Sequence, residues 1–133
     1  RMFQDAGVVL ERDYSFNPRR KGIERFSDAS DERRSQLIAE NPLYGRIVCR
    51  CETVTEAEII QAIHRPVGAR TVDAIKRRVR AGTGRCQGGF CGPKVIEILA
   101  RELKLPVAEV RKNLMGSYML TGQIREEERC GDA

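Results

Sequence analysis

The sequence predicts a mainly α-helical fold, a small bundle of short helices around a site of four cysteines, preceded by an irregular N-terminal arm. Two observations support this prediction. After residue 53, apolar residues recur at spacings of three and four between residues that commonly begin and end helices. Four of the five cysteines form two close pairs, and the stretch between the pairs carries two of the predicted helices.

The bulk composition is that of one small domain. The chain has 133 residues, of which 41% are hydrophobic and 32% charged, so its core is modest and of the kind that often depends on a metal for stability. The net charge of +5 raises nucleic acid as a partner. However, acidic residues alternate with the basic ones, and the aromatic residues lie mostly outside the basic runs, so no base-stacking surface is visible. We therefore expect no nucleic-acid binding.

No transmembrane segment is expected, because no apolar run approaches the roughly 20 residues that span a bilayer. No signal-peptide pattern is present at the start either. The first residue is Arg rather than Met, and we expect the chain to be a piece of a longer protein.

Residues 1–45 form the predicted arm, since their apolar residues show no strong period. Ser30 or Asp28 is expected to cap a short helix from Asp31 to Glu40, and Pro42 ends it. Such an arm buries little surface on its own. We expect it to pack either on the rest of the chain or on a domain that lies outside it.

The next segment predicts a short extended stretch at residues 46–51, followed by two helices. The first helix runs to about His64, and its start fits a capping box of either Thr53 with Glu56 or Thr55 with Glu58. The second is capped by Thr71, continues to about residue 80 and stops before Gly82.

Two more helices are predicted after a glycine-rich loop at residues 82–92. Pro93 suits the first position of the third helix. Pro106 is expected to open a fourth helix, with Val107, Val110 and Leu114 on its inner face. Residues 117–120 read as a short extended piece, and a charged tail follows.

The cysteines indicate a metal or cluster site. An odd number in a chain without a secretory signal argues against a disulfide framework and for ligation in a reducing compartment. Cys49 and Cys51 are separated from Cys86 and Cys91 by 34 residues, so two close pairs could approach from opposite sides. Four thiolates, two per iron, are what a 2Fe–2S cluster requires.

The neighbouring residues fit an anionic cluster. The glycines of the loop allow backbone N–H groups to approach the sulfurs. Each cysteine pair also precedes a predicted helix start, which favours negative charge, and Arg46, Arg50 and Arg85 add positive charge beside them.

A zinc site is the alternative. Four-cysteine zinc sites use pairs with two to four residues between them, which suits Cys86 and Cys91 but not Cys49 and Cys51. The spacing favours the cluster and leaves zinc open. His64, the only histidine, is not needed as a ligand, and Cys130 is expected to be a free exposed thiol. Nothing suggests an acid–base or nucleophilic constellation, so this chain alone is not expected to be catalytic.

Two motifs carry a family resemblance. The segments IVCRCETVTE at residues 47–56 and GRCQGGFCGP at residues 84–93 resemble the 2Fe–2S domain of the bacterioferritin-associated ferredoxin type. The longer spacing of the second cysteine pair is similar to the version fused to the C-terminus of FAD-dependent oxidoreductases, particularly anaerobic-type glycerol-3-phosphate dehydrogenases. The resemblance extends over about residues 41–121.

The resemblance implies a division of the chain into an arm from a missing flavin domain (1–45), a 2Fe–2S-binding helical domain (46–121) and a charged tail (122–133). It implies that Cys49, Cys51, Cys86 and Cys91 ligate the cluster. Electrons would pass from the substrate, with glycerol 3-phosphate as the best single choice, to FAD in the missing part and then to the cluster.

The implied acceptor is an electron-acceptor protein or a membrane quinone-linked subunit, with the domain in the cytoplasm or held at the inner face of the membrane through such a partner. A basic helix face (Lys76, Arg77, Arg78, Arg80) either docks an acidic partner or is simply solvated. The alternative function is a structural zinc-binding or metal-free interaction module of a larger oxidoreductase. A recombinant sample of a cluster-binding chain could itself hold zinc or an empty site in place of the cluster.

Overall fold

The computed structural model describes residues 21–122 together with Ala6, Gly7, Tyr14, Ser15, Asn17 and Arg19. The helices and strands of this part of the chain are α1 (Asp31–Glu40), β1 (Ile47–Cys49), β2 (Val54–Thr55), α2 (Glu56–His64), α3 (Val72–Val79) and α4 (Cys91–Leu103). Turns of 3-10 helix occur at Phe26–Asp28, Pro42–Gly45 and Val107–Glu109. The predicted mainly helical fold class is confirmed.

The two short strands form an antiparallel pair that carries the first cysteine motif. Ile47 lies opposite Thr55 and Cys49 opposite Val54, with an irregularity between them. The sequence predicts the extended stretch but not its partner. Val54 and Thr55 are too few to show a strand period, and their sequence indicates a helix start instead.

The helix starts follow the predicted caps. Thr55 and Glu58 form the capping box of α2: the Thr55 backbone N–H donates to Glu58 Oε2 at 2.7 Å, and the Glu58 N–H donates to Thr55 Oγ1 at 3.4 Å. The Thr71 side chain accepts a hydrogen bond from the Ala74 N–H at the start of α3, and the Ser30 side chain accepts one from the Arg33 N–H at the start of α1. Of the two capping boxes that the sequence allows, the second is therefore confirmed.

Two helix predictions need correction. The third predicted helix begins at Cys91 rather than at Pro93. The fourth is wrong: after Pro106 the structure has only the turn Val107–Glu109. The reason is tertiary, because the carbonyls of Arg111 and Lys112 accept hydrogen bonds from the first backbone N–H groups of α3 at 3.1 and 2.9 Å. This pairing draws the chain out of a helical path, and a bridge between Arg111 and Tyr118 continues it.

The main core lies between α2, α3 and α4, with Ile59, Ile63, Ile75 and Leu99 fully buried. Cys49 and Cys91 belong to the same buried cluster. One wall of the cysteine site is therefore built into the hydrophobic core.

The described part of the arm packs on α2. Phe26, Leu37 and Tyr44 form a small buried cluster with Ala57 of α2, and the Phe26 backbone N–H donates to the buried Glu58 carboxylate at 3.4 Å. The sequence predicts that the arm packs either on this chain or on a domain outside it, and residues 26–44 pack on this chain. No helix among the described residues has the length and apolar character needed to cross a membrane.

Candidate cluster-binding site

The four predicted ligands, Cys49, Cys51, Cys86 and Cys91, line one cavity of about 940 Å³. The first two come from β1 and the turn after it, and the last two from the glycine-rich loop and the first residue of α4. The other lining residues are Arg46, Ile47, Val48, Arg50, Glu56, Arg85, Phe90 and Lys94. Folding therefore brings both cysteine motifs, and all three arginines expected near them, to one place.

Within the cavity the thiols contact each other across the two motifs. Cys51 Sγ lies 3.8 Å from Cys86 Sγ near the surface. Cys49 and Cys91 are both buried, and Cys49 is a close enough neighbour to help raise the pKa of the Cys91 thiol. The sequence spacing suggests that the close pairs face each other as pairs, whereas the observed contacts join one cysteine of each motif.

The separation of Cys51 and Cys86 fits two thiolates on one metal ion. Thiolates on one tetrahedral metal ion, with metal–sulfur bonds of about 2.3 Å, stand about 3.8 Å apart, which is the separation of Cys51 and Cys86. Among the described residues, no three His, Cys, Asp or Glu side chains gather around a single point. A 2Fe–2S cluster takes two thiolates per iron, and the Cys51–Cys86 pair has the separation that one such iron requires.

Gly84 permits the close approach of the two motifs. A Cβ atom at Gly84 would lie 2.2 Å from Cys51 Cβ, well inside contact distance. Gln87, in the same loop, has a φ of +47°, and its side-chain amide donates to the carbonyls of Thr83 and Gly84. The sequence predicts a tight loop here, but glycine content alone does not reveal that position 84 faces Cys51 or that Gln87 braces the loop.

The two cysteines of the second motif have opposite electrostatic surroundings. Backbone N–H groups of Phe90 and Gly88 lower the pKa of the Cys86 thiol, as predicted from the glycine-rich loop. Burial raises the pKa of the Cys91 thiol to about 11, and the neighbouring Cys49 contributes to this increase. Cysteines ligate metal as thiolates. The surroundings of Cys86 therefore favour its ligating form, whereas those of Cys91 favour the neutral thiol as long as no metal is bound.

Glu56 is a site residue that the sequence does not reveal. Its carboxylate is buried in the cavity wall, accepts a hydrogen bond from Arg101 Nη2 at 2.6 Å and lies 3.6 Å from Arg46 Nη1. Sequence patterns present Glu56 only as a helix-cap residue and Arg101 as an ordinary helix residue. Their pairing depends on the packing of α2 against α4, for which no local signal exists.

The remaining candidate residues lie elsewhere. His64 is outside the cysteine cavity, with Nε2 2.7 Å from Glu102 Oε2, and this contact lowers the pKa of Glu102. Cys130 lies outside the described residues.

Residues 47–101 match the family described as BFD-like [2Fe-2S] binding domain. This segment is a BFD-like 2Fe–2S domain. Its limits include all four cysteines of the cavity and both members of the Glu56–Arg101 pair. The predicted resemblance is thereby confirmed.

Several curated proteins share this domain with the chain. A glycerol 3-phosphate dehydrogenase of Caloramator mitchellensis is 55% identical over 126 residues, which cover 95% of this chain and 26% of that protein. One subunit of the opine oxidase of Rhizobium meliloti is 38% identical over 102 residues, covering 75% of this chain and 18% of that subunit.

A third relative belongs to the anaerobic glycerol-3-phosphate dehydrogenase of Escherichia coli (strain K12). One subunit of that enzyme is 31% identical over 70 residues, covering 53% of this chain and 13% of the relative. The chain thus spans about a quarter of the first relative and less than a fifth of the other two. No solved structure matches the chain significantly.

Proposed function

We propose that this chain is the electron-relay part of an FAD-dependent dehydrogenase, in which Cys49, Cys51, Cys86 and Cys91 hold a 2Fe–2S cluster. One observation carries the proposal: two thiol pairs, each combining both motifs, line one cavity inside a BFD-like 2Fe–2S domain. In this proposal the short helices surround the cluster, and residues 46–121 form the cluster domain between an arm and a charged tail.

The thiol contacts support a specific ligand arrangement. Cys51 and Cys86 would hold the iron nearer the surface, and Cys49 and Cys91 the iron nearer the core. When bound, the cluster supplies one-electron transfer. The hydrophobic core excludes water on one side of the cavity. Backbone N–H groups of the glycine-rich loop donate hydrogen bonds to the Cys86 sulfur, and arginine side chains line the cavity.

The substrate and partners of the whole protein are proposed from its relatives. The 55% identical relative is a glycerol 3-phosphate dehydrogenase, so we assign glycerol 3-phosphate as the substrate, oxidised at FAD in a part of the protein outside this chain. The flavin domain donates electrons to the cluster, and an acceptor protein or quinone-linked subunit removes them. Cluster ligation by reduced thiols fits a cytoplasmic location.

Metal analysis of anaerobically purified protein tests the cluster. We expect about two iron and two acid-labile sulfide ions per chain, with visible absorbance that bleaches on reduction. Serine substitution at each of the four cavity cysteines should remove or alter this absorbance, whereas Cys130→Ser should leave it unchanged. One zinc per chain without sulfide would overturn the proposal in favour of a structural zinc module.

The full-length protein tests the substrate. Glycerol 3-phosphate should first reduce the flavin and then bleach the cluster, and Cys91→Ser should keep the first step and lose the second. An opine under the same conditions is the comparison substrate, because one relative belongs to an opine oxidase. Cluster bleaching by an opine but not by glycerol 3-phosphate would contradict the assignment.

A further inference from the structure

The opening of the cysteine cavity carries two exposed apolar side chains. Phe90, between Cys86 and Cys91 in the sequence, is 88% exposed, and Ile47, two residues before Cys49, is 49% exposed. Both line the same cavity as the thiols. Large apolar side chains left in water beside a functional site are typical of a contact surface for another molecule.

Positive charge surrounds these two residues. Arg46, Arg50, Arg85 and Lys94 line the cavity and reach its solvent-facing side. No described residue forms an ion pair with Arg50 or Arg85, and Lys94 reaches only the exposed Glu97 at 3.8 Å. The one acidic side chain in the cavity wall, Glu56, is already paired with Arg101 and Arg46. In the proposed holoprotein part of this charge would balance an anionic cluster, and the guanidinium groups of Arg50 and Arg85 remain available for a partner's carboxylates.

The basic face of α3 differs from the cavity opening because most of its charged groups have partners within the chain. Arg80 is paired with Glu52 at 2.7 Å, and Arg78 donates to the carbonyls of Val67 and Ala74. Asp73 lies within the same face, 4.0 Å from Arg77 and 3.1 Å from Lys112. Its charges are largely satisfied within the chain, so it is a weaker docking surface than the sequence suggests.

We propose that the cavity opening, defined as Arg46, Ile47, Arg50, Arg85, Phe90 and Lys94, is the docking surface for an acidic electron-transfer protein. The inference rests on the proposed relay function, because docking here matters only if the cavity holds the cluster. Cys51 and Cys86 are the more exposed cysteines, so a partner seated on Phe90 and Ile47 approaches the surface iron most closely. Opposite charge accelerates encounter, and the apolar centre supplies contact energy.

Electron transfer from the reduced, cluster-loaded chain to two probe proteins tests the surface. Plastocyanin is an acidic copper protein, and cytochrome c is a basic haem protein. In each reaction one electron leaves the cluster, so that one Fe(II) becomes Fe(III) while Cu(II) becomes Cu(I) or haem Fe(III) becomes Fe(II). Stopped-flow absorbance gives the second-order rate constants, and the reduction potential of every variant is measured alongside.

We expect the rate with plastocyanin to fall as salt is added. Arg50→Glu combined with Arg85→Glu should lower it at low salt by about tenfold or more, and should raise the rate with cytochrome c. The matched control, Lys76→Glu combined with Arg77→Glu on α3, makes the same change of net charge. It should alter the rate with plastocyanin by less than about twofold, because only the local surface is in contact.

Equal slowing by the two double variants would overturn the proposal, because net charge alone would then explain the effect. It would also be overturned if neither variant changed the rate, or if the α3 variant had the larger effect. Phe90→Ser provides a second measurement that keeps the charge constant: it should slow the reaction with plastocyanin without changing its salt dependence, and an unchanged rate contradicts the apolar contact. Failure of the relay function itself would be visible before mixing, as a chain without a reducible cluster.

Discussion

The Glu56 carboxylate accepts a hydrogen bond from the Arg101 guanidinium at 2.6 Å in the wall of the cysteine cavity. Glu56 is the first residue of α2 and Arg101 lies in the last turn of α4. The pair therefore links the helix that follows the first cysteine motif to the helix that begins at the second. In the proposed relay, Glu56 would place a negative charge in the wall of the cluster cavity, and Arg101 would place a compensating positive charge next to it.

The two members of this pair should shift the reduction potential in opposite directions. Glu56→Gln removes a negative charge and should raise the potential, because the reduced cluster carries more negative charge than the oxidised one. Arg101→Gln removes the compensating positive charge and should lower it. A change of about 1.4 kcal/mol corresponds to about 59 mV for one electron. Potentiometric titration followed by visible absorbance measures both shifts, and the same sign in both variants would contradict the electrostatic role.

Gly84→Ala should weaken the cluster site. The new methyl group would meet Cys51 Cβ at 2.2 Å, and the required rearrangement separates Cys51 from Cys86 at a cost of about 1–3 kcal/mol. We expect faster loss of cluster absorbance in air and a lower unfolding temperature. Gly92→Ala is the matched control, because a Cβ atom there meets nothing within 4 Å. Equal cluster lifetimes in the two variants would show that the close approach is unimportant.

Thr55→Ala should destabilise the fold more than Ser30→Ala does. Both residues cap helices, but Thr55 is fully buried and its hydroxyl donates to the buried Glu58 carboxylate at 2.8 Å. Losing an ordinary cap costs about 1 kcal/mol, and leaving a buried charged acceptor short of a donor adds about 1–3 kcal/mol. The midpoint of thermal unfolding of the cluster-loaded protein measures the difference. A larger effect at Ser30 would mean that the box at Thr55 is not a main support of α2.

After removal of the cluster, the thiols should react in a definite order. Backbone hydrogen bonds lower the pKa of Cys86, and its side chain is partly exposed. A larger fraction of Cys86 than of Cys91 is therefore thiolate near neutral pH. Cys91 is buried with a pKa of about 11, so its modification should rise only as the pH climbs toward that value. Iodoacetamide labelling of the reduced apoprotein, followed by peptide mass spectrometry, gives the order. Faster labelling of Cys91 than of Cys86 at neutral pH would contradict these environments.

Local signals predict the helices well where a few neighbouring residues decide the outcome. The helix Asp31–Glu40 has the predicted limits, and Thr55 and Thr71 act as caps, because a capping bond joins residues only three positions apart. The expected helix after Pro106 fails for the converse reason. Its residues have a helical pattern, but the carbonyls of Arg111 and Lys112 find donors in α3, far earlier in the sequence.

The sequence by itself determined the chemistry of the cavity: the four cysteines, their two spacings, the glycine-rich loop and the arginines beside them are all visible without a structure. Only the tertiary structure decided that Cys51 contacts Cys86 while Cys49 neighbours Cys91, that position 84 must lack a side chain, and that Glu56 pairs with Arg101. Each of these contacts joins residues at least 33 positions apart. These contacts depend on how α2, α3 and α4 pack around a common core, and the spacing of residues along the chain does not predict that packing.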